Sequence, residues 1–232
     1  MESKQEFGQG ILYTITNYIY WLFLSNIYFI LANSIFLFFF MTLQQSFSNI
    51  ILYFLALIPT GPAISALYYS MEKLIRTKEL SPTKDFFEGY KKNLKDTLLL
   101  WIPILIVFFI LLVDFQYLQG SNQILANVML LLMIIGATLT MNILAINTRF
   151  KFRIRDIYKL AVYYSFNKFK NTIGGMFIIF LVGVLTVLTT NFLILFISSI
   201  VAYLLIVNAK GMLNDIESNF LKTSPAIQTG RQ

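Results

Sequence analysis

The side chains that could do chemistry in this chain are few, and their types narrow the choice of reaction. The 232 residues include no His and no Cys, 18 basic residues and 11 acidic ones. A Ser-His-Asp or Cys-His triad, a zinc finger and a haem or iron–sulfur centre held by His or Cys are therefore excluded. The sequence also lacks a GxxxxGK[ST] phosphate loop and a GxGxxG motif after a strand, so ATP-driven work would need a partner protein. We expect no cofactor, no bound metal and no catalytic residues.

Carboxylates remain as possible acid–base groups, but their placement is typical of a solvated helix face. The acids of the segment 70–97 alternate with Lys and Arg; they are Glu72, Glu79, Asp85, Glu88 and Asp96. Asp114 lies near the outer end of an apolar segment, and no charged residue lies deep inside any such segment. Ion-driven carriers usually place ionisable groups there, and membrane enzymes need converging carboxylates. We therefore predict that the protein is not an enzyme.

Long apolar segments are the elements that must position the polar residues. Apolar residues make up 57% of the chain and charged ones 12%, against about 25% charged in soluble domains. A helix needs about 20 apolar residues to cross the hydrocarbon core. We predict an all-α polytopic transmembrane bundle with six spans at about 18–41, 50–69, 98–118, 124–148, 173–189 and 192–208. The last two could also be one steeply tilted helix, because only Thr189-Thr190-Asn191 offers a turn between them.

The basic residues predict the orientation of these spans, because Lys and Arg in short loops stay on the cytoplasmic side. With both termini cytoplasmic, all 18 basic residues fall on that side, mainly in two inner loops at 70–97 and 149–172. Residues 1–221 would form one membrane domain. We expect the tail 222–232 to be disordered.

Each inner loop is predicted to hold a basic amphipathic helix. Ser81-Pro82 is a favourable helix start in the first loop. The apolar stripe of the second loop runs through Phe150, Ile154, Ile157, Tyr158, Ala161, Ser165 and Phe169. Two interpretations stay open: a helix lying on anionic lipid head groups, or a docking surface for another protein such as a transporter subunit. Nucleic acid is disfavoured because membrane orientation accounts for the charge. The candidate contact residues are Phe86, Phe87, Tyr90, Lys91, Lys92, Arg149, Arg153 and Arg155.

Polar and helix-breaking residues inside the spans are the remaining candidates. Four asparagines could either line a polar path or form interhelical hydrogen bonds; they are Asn26, Asn33, Asn142 and Asn147. Two prolines in the second span remove backbone donors and predict a kink. We predict a structural hinge there, formed by Pro59, Gly61, Pro62 and Ala63.

The hinge also carries a family resemblance. The stretch TGPAISALYY at 60–69, the following Glu72-Lys73-Leu74 and the stretch KDFFEGYKKN at 84–93 resemble the YesL-like family of bacterial integral membrane proteins, as does NYIYW at 17–21. The resemblance is most specific from about Gly61 to Trp101. It implies a small multi-pass protein of the bacterial cell membrane, often encoded beside carbohydrate importers of the ATP-binding-cassette type and glycoside hydrolases. The family has no assigned chemistry, so it supplies no catalytic residues.

Three functions follow as hypotheses. The first is a non-enzymatic accessory subunit that acts on a partner, such as a carbohydrate importer, through the cytoplasmic basic helices. The second is a small autonomous transporter for a solute or lipid, using the interface of spans 1, 2 and 4. The third is a protein that binds anionic lipid. Membrane lipids with anionic head groups are expected partners in all three.

Overall fold

The computed structural model describes residues 10–44, 46–188 and 193–220, and these ranges form helices without a β-strand. The predicted all-α fold is confirmed. A short 3-10 turn precedes α3. The helices are α1 (Ile11–Ala32), α2 (Ser34–Thr42), α3 (Ile50–Ala56), α4 (Thr60–Thr77), α5 (Pro82–Leu118), α6 (Gln123–Arg149), α7 (Ile154–Asn167), α8 (Phe169–Leu188) and α9 (Leu193–Phe220).

The lengths and hydropathy of these helices are those of a multi-pass membrane protein. Within the described ranges, α1, α5, α6, α8 and α9 are long and apolar enough to cross a membrane. A sixth candidate span is formed by Phe47–Ala56 and Thr60–Thr77 taken together, and the chain bends by 47° between these two segments. The predicted turn at 189–191 and the predicted disordered tail at 222–232 lie outside the described residues.

The helix α4 is the centre of the bundle. It packs against α1, α5, α6 and α9. Its buried positions combine small residues, which let neighbouring backbones approach closely, with large apolar ones that fill the core. The fully enclosed side chains of α4 include Ala63, Ala66, Met71 and Leu74. The hinge segment therefore leads directly into the core of the protein.

The first predicted inner helix is the beginning of α5, which runs for 37 residues without interruption. It starts at Pro82 after the N-cap Ser81, as the sequence predicted. Its inward face packs on α4, and Phe86 on that face is fully buried. One side of this basic helix is therefore covered by protein, while Phe87 and Leu94 stay exposed.

Candidate functional sites

The bend between α3 and α4 lies at the predicted hinge. The connecting residues are Leu57 to Pro59, and α4 begins at Thr60 with Pro62 in its first turn, where a missing backbone donor costs little. The Leu57 carbonyl accepts hydrogen bonds from the Thr60 amide at 3.1 Å and from Trp101 Nε1 at 2.9 Å. The Trp101 ring lies over Gly61 so closely that a Cβ added there would be 2.3 Å from the ring.

A second interruption occurs where α1 ends and α2 begins. Asn33 occupies the junction and its side chain is buried. Asn33 Nδ2 donates to the Phe29 carbonyl at 2.8 Å, while Asn33 Oδ1 accepts from Thr60 Oγ1 at 2.6 Å. The bend between α3 and α4 and the one-residue break at Asn33 therefore meet, and this hydrogen bond joins them.

A partly open cavity of about 280 Å³ lies at this meeting point, and we call it the break cavity. Its walls are almost wholly apolar, and no charged side chain lines it within the described ranges. Its lining residues come from α1, α2, the hinge, α4, α6, α8 and α9; they are Phe29, Asn33, Phe36, Leu57, Thr60, Ile64, Leu67, Tyr68, Met141, Ile179, Val182, Ser198, Val201, Ala202 and Leu205. A buried apolar cavity of about 150 Å³ suffices to bind benzene. The break cavity therefore has room for a larger apolar group.

The four predicted asparagines each form a hydrogen bond beyond their own helix. Asn26 Oδ1 accepts from the Ser199 amide of α9 at 3.1 Å. Asn142 Nδ2 donates to Ser165 Oγ of α7 at 3.1 Å, and Asn147 Nδ2 donates to Thr97 Oγ1 of α5 at 3.0 Å. With Asn33 bonded to Thr60, the four residues tie different pairs of segments together. These contacts match the interhelical-bond alternative. Of the four, only Asn33 lines the break cavity.

Ion pairs fix the ends of the helices that carry the predicted inner loops. Asp85 is fully buried, accepts from Lys73 Nζ at 2.6 Å and also accepts from the Ser81 amide at 2.9 Å. The expectation that Asp85 lies on a solvated face is therefore wrong, because its carboxylate joins α4 to the start of α5. Two further pairs join Lys151 to Asp96 at 3.0 Å and Lys168 to Asp215. Within the described ranges, no three acidic side chains are grouped so that they could hold a metal ion.

Arg149 pairs with acidic side chains of two other helices. Its guanidinium lies 3.7 Å from Glu72 of α4 and pairs with Glu217 of α9. The Arg149 side chain is 15% exposed. It joins α4, α6 and α9, so it does not belong to the free surface on which the sequence placed it.

The other predicted contact residues divide between core and surface. Phe86 is fully buried against Tyr28 and Tyr90, so the surface assignment fails for it. Tyr90 is half-buried. The exposed members are Phe87, Lys91, Lys92, Arg153 and Arg155, of which Lys92 lies over the Tyr69 ring at 5.3 Å.

The sequence reasoning missed the role of Thr60 and the cavity itself. Thr60 lies between Pro59 and Pro62 at the start of α4. Its hydroxyl group could therefore have been recognised in the sequence as a hydrogen-bonding group. The cavity has no signal of its own, because an apolar residue that faces a cavity looks the same in sequence as one that faces lipid or core.

The fold and these sites define an α-helical multi-pass membrane protein. Residues 22–115 match the model of a family described as "Protein of unknown function, DUF624". YesL-like proteins are members of that family, so the resemblance predicted from the sequence is confirmed. The matched segment runs from the middle of α1 to near the end of α5, and it includes both interruptions. No curated protein and no solved structure gave a significant match.

Proposed function

We propose that this protein is a non-enzymatic membrane protein that binds a lipid, or another amphipathic molecule, by its apolar chain in the break cavity. The observation that carries the proposal is that the bent span made by α3 and α4 and the one-residue break between α1 and α2 meet at one apolar cavity. Non-helical backbone at membrane depth is tolerated where it is buried in protein or lines a cavity. In transporters, interrupted helices commonly form the substrate site.

The lining favours an acyl chain over a polar solute. A sugar or an ion in the cavity would leave most of its polar groups without partners, at about 1 to 3 kcal/mol for each buried group. The hydroxyl and amide of Thr60 and Asn33 already bond to each other. An acyl chain needs only apolar contact, which Ile64, Leu67 and Leu205 provide.

The experiment compares two phenylalanine substitutions on α9. Val201 lines the break cavity, whereas Leu204 is 46% exposed on the same helix and does not line it. We expect Val201→Phe to lower the amount of phospholipid retained per protein after exhaustive detergent exchange. Leu204→Phe, the matched control, should retain as much as the unmodified chain. Equal retention in both variants would count against the proposal.

A second candidate function rests on the first half of α5. Its apolar face is used inside the protein, and the face left exposed carries Lys84, Lys91 and Lys95 with Phe87 and Leu94 between them. This surface suits an accessory subunit that docks on a membrane transporter, and the family resemblance suggests a carbohydrate importer. Pull-down from the native host in mild detergent tests it. Loss of a transporter component from K84Q/K91Q/K95Q, with lipid retention unchanged, would favour this function.

We also propose that the protein lies in the bacterial cell membrane with both termini in the cytoplasm. The support is the concentration of all 18 basic residues on one side of the predicted topology. The chain has no Cys, so each cysteine introduced is the only one to react. In intact cells, an impermeant maleimide should label Ser121→Cys, in the turn after α5, and not Lys78→Cys, in the turn after α4. The opposite pattern would reverse the orientation.

A further inference from the structure

The exposed face of α7 carries basic side chains at its beginning and apolar side chains at its end. Arg155, Lys159, Val162 and Phe166 follow one another at spacings of four, three and four, which places them on one side of a helix. All four are exposed, Val162 by 45% and Phe166 by 79%. The first half of this face is cationic, and the second half is apolar.

The opposite face of α7 is firmly packed on the bundle. Ile157 and Ala161 are fully buried there. Tyr158 donates a hydrogen bond to the Leu100 carbonyl of α5 at 2.9 Å, and Ser165 takes the bond from Asn142 of α6. The apolar stripe that the sequence predicted is thus covered largely by protein. The exposed face, by contrast, is a fixed surface that contacts whatever surrounds the protein.

The apolar half of that surface continues into a spanning helix. Beyond Phe166, the side chains of Phe169, Ile173, Phe177 and Phe180 are 63%, 49%, 59% and 55% exposed. All four lie on α8, at the spacing of one helix face. An apolar face this exposed on a membrane span contacts acyl chains. Phe166 comes three residues before the first residue of this apolar face, whereas Arg155 and Lys159 are farther from it along the chain.

The basic side chains in the first half of α7 are placed so that they could bind an anion. Arg153, Arg155 and Lys159 are exposed, and none of them is in an ion pair with another described residue. The one acid between them is Asp156, which is also exposed. Eleven residues separate Arg155 from Phe166, which is about 16 Å along a helix. In a helix inclined to the membrane plane, that length is enough to reach from the edge of the acyl region into the head groups.

We propose that α7 is an inclined interfacial helix, with Phe166 in the acyl region and Arg153, Arg155 and Lys159 bound to the phosphates of anionic phospholipids. Guanidinium groups bind phosphate oxygens through paired, charge-assisted hydrogen bonds. Aromatic side chains at the acyl boundary hold such a helix in place. The site is separate from the break cavity and does not depend on it.

The inclination is tested by depth measurements on single spin labels. The cysteine-free chain takes one label at a time in place of Asp156, Val162, Phe166 or Ile173. In bilayers, protection from a water-soluble relaxing agent should increase in that order. A label at residue 166 that is as accessible to water as one at residue 156 would overturn the proposal.

The lipid preference is tested with the full chain in nanodiscs of phosphatidylcholine with a minor share of phosphatidylglycerol. We expect the variant R153Q/R155Q/K159Q to bind phosphatidylglycerol at least fivefold less than the unmodified chain, since one such charge contributes about 1 kcal/mol. The control K84Q/K91Q/K95Q removes three exposed charges from α5 and should keep the preference. Val201→Phe should also keep the preference for phosphatidylglycerol. Failure of the cavity proposal can therefore be distinguished from failure of the proposal for α7.

Two results would overturn the lipid assignment. One is an unchanged phosphatidylglycerol preference in R153Q/R155Q/K159Q. The other is an equal loss in the α5 control, which would mean that overall charge and not this face selects the lipid. Loss of a co-purifying protein from native membranes, with the lipid preference intact, would assign the face to a protein partner instead.

Discussion

Thr60 and Asn33 share a hydrogen bond of 2.6 Å between residues 27 positions apart in the chain. Thr60 opens α4 after the bend, and Asn33 stands between α1 and α2. The bond therefore joins the two helix breaks at the edge of the break cavity. It also satisfies polar atoms that the surrounding apolar side chains could not.

Replacing Thr60 by Val should destabilise the protein, because the buried Asn33 Oδ1 loses its donor. We expect the free energy of unfolding to fall by about 1 to 2 kcal/mol, the range for interhelical hydrogen bonds and for an unpaired buried acceptor. Unfolding in detergent measures it. The control is Thr186→Val, since the bond that Thr186 forms among the described residues goes to the Val182 carbonyl of its own helix. An equal effect at both positions would show that the interhelical bond contributes nothing.

Gly61→Ala should destabilise the hinge because of the Trp101 ring above it. The added Cβ would lie 2.3 Å from the ring, and overpacking of this kind costs about 1 to 3 kcal/mol. A Cβ added at Gly183 would meet no atom within 4 Å among the described residues outside the backbone of its own helix, so Gly183→Ala should be neutral or stabilise α8 by up to about 1 kcal/mol. In a Trp101→Ala background the cost of Gly61→Ala should largely disappear. If it persists there, the cause is not the ring.

Asp85→Ala should be among the most damaging single changes at this end of the bundle. It leaves Lys73 without its partner and removes the acceptor of the Ser81 amide. Breaking a fully buried pair costs about 3 to 5 kcal/mol, and we expect about 2 to 4 because Lys73 is 35% exposed. Asp114→Ala, at an exposed acid on the same helix, should change stability by less than about 0.5 kcal/mol. A loss at Asp85 no larger than at Asp114 would contradict the assignment.

Arg149→Gln should loosen the junction of α4, α6 and α9. The change removes the pairs with Glu72 and Glu217. Because Glu217 is 40% exposed, we expect a loss of only about 1 to 2 kcal/mol, measured by unfolding in detergent. Arg153→Gln, which removes an exposed arginine outside the described ion pairs, should have no measurable effect on unfolding. Similar values for the two variants would show that the network does not hold the helices together.

Hydropathy was sufficient to predict the helical architecture. The predicted spans at 98–118 and 124–148 lie within α5 and α6, and the Ser81-Pro82 helix start is confirmed. Of the four residues predicted to form the hinge, Pro59 lies in the bend, and Gly61, Pro62 and Ala63 lie in the first turn of α4. These features depend on local composition and backbone chemistry, which a sequence states directly.

The partners of each buried face could not be predicted in the same way. Phe86 was predicted to be a contact residue and Ile157 to lie on an amphipathic stripe, and both are fully buried in protein. Periodicity shows that a face avoids water, but lipid and protein core satisfy it equally well. The same holds for Asp85, whose carboxylate looked like part of a solvated face until the position of Lys73 was known.

The interruption at Asn33 was missed for a different reason. A single Asn in an apolar run of more than 20 residues does not by itself end a helix. What defines the junction is the donor from Thr60, 27 residues away. The break cavity depends on the same long-range pairing, so the sequence indicated an interface of spans 1, 2 and 4 without its volume or its lining.

The central claim, that an acyl chain occupies the break cavity, is tested most directly by photo-crosslinking. A phospholipid with a diazirine near the end of one acyl chain would be added to the purified protein, irradiated and mapped by peptide mass spectrometry. The account predicts crosslinks to cavity-lining residues such as Ile64, Leu67 and Leu205, and their loss in Val201→Phe but not in Leu204→Phe. Crosslinks confined to exposed positions such as Ile106 and Leu131, unchanged in both variants, would contradict it.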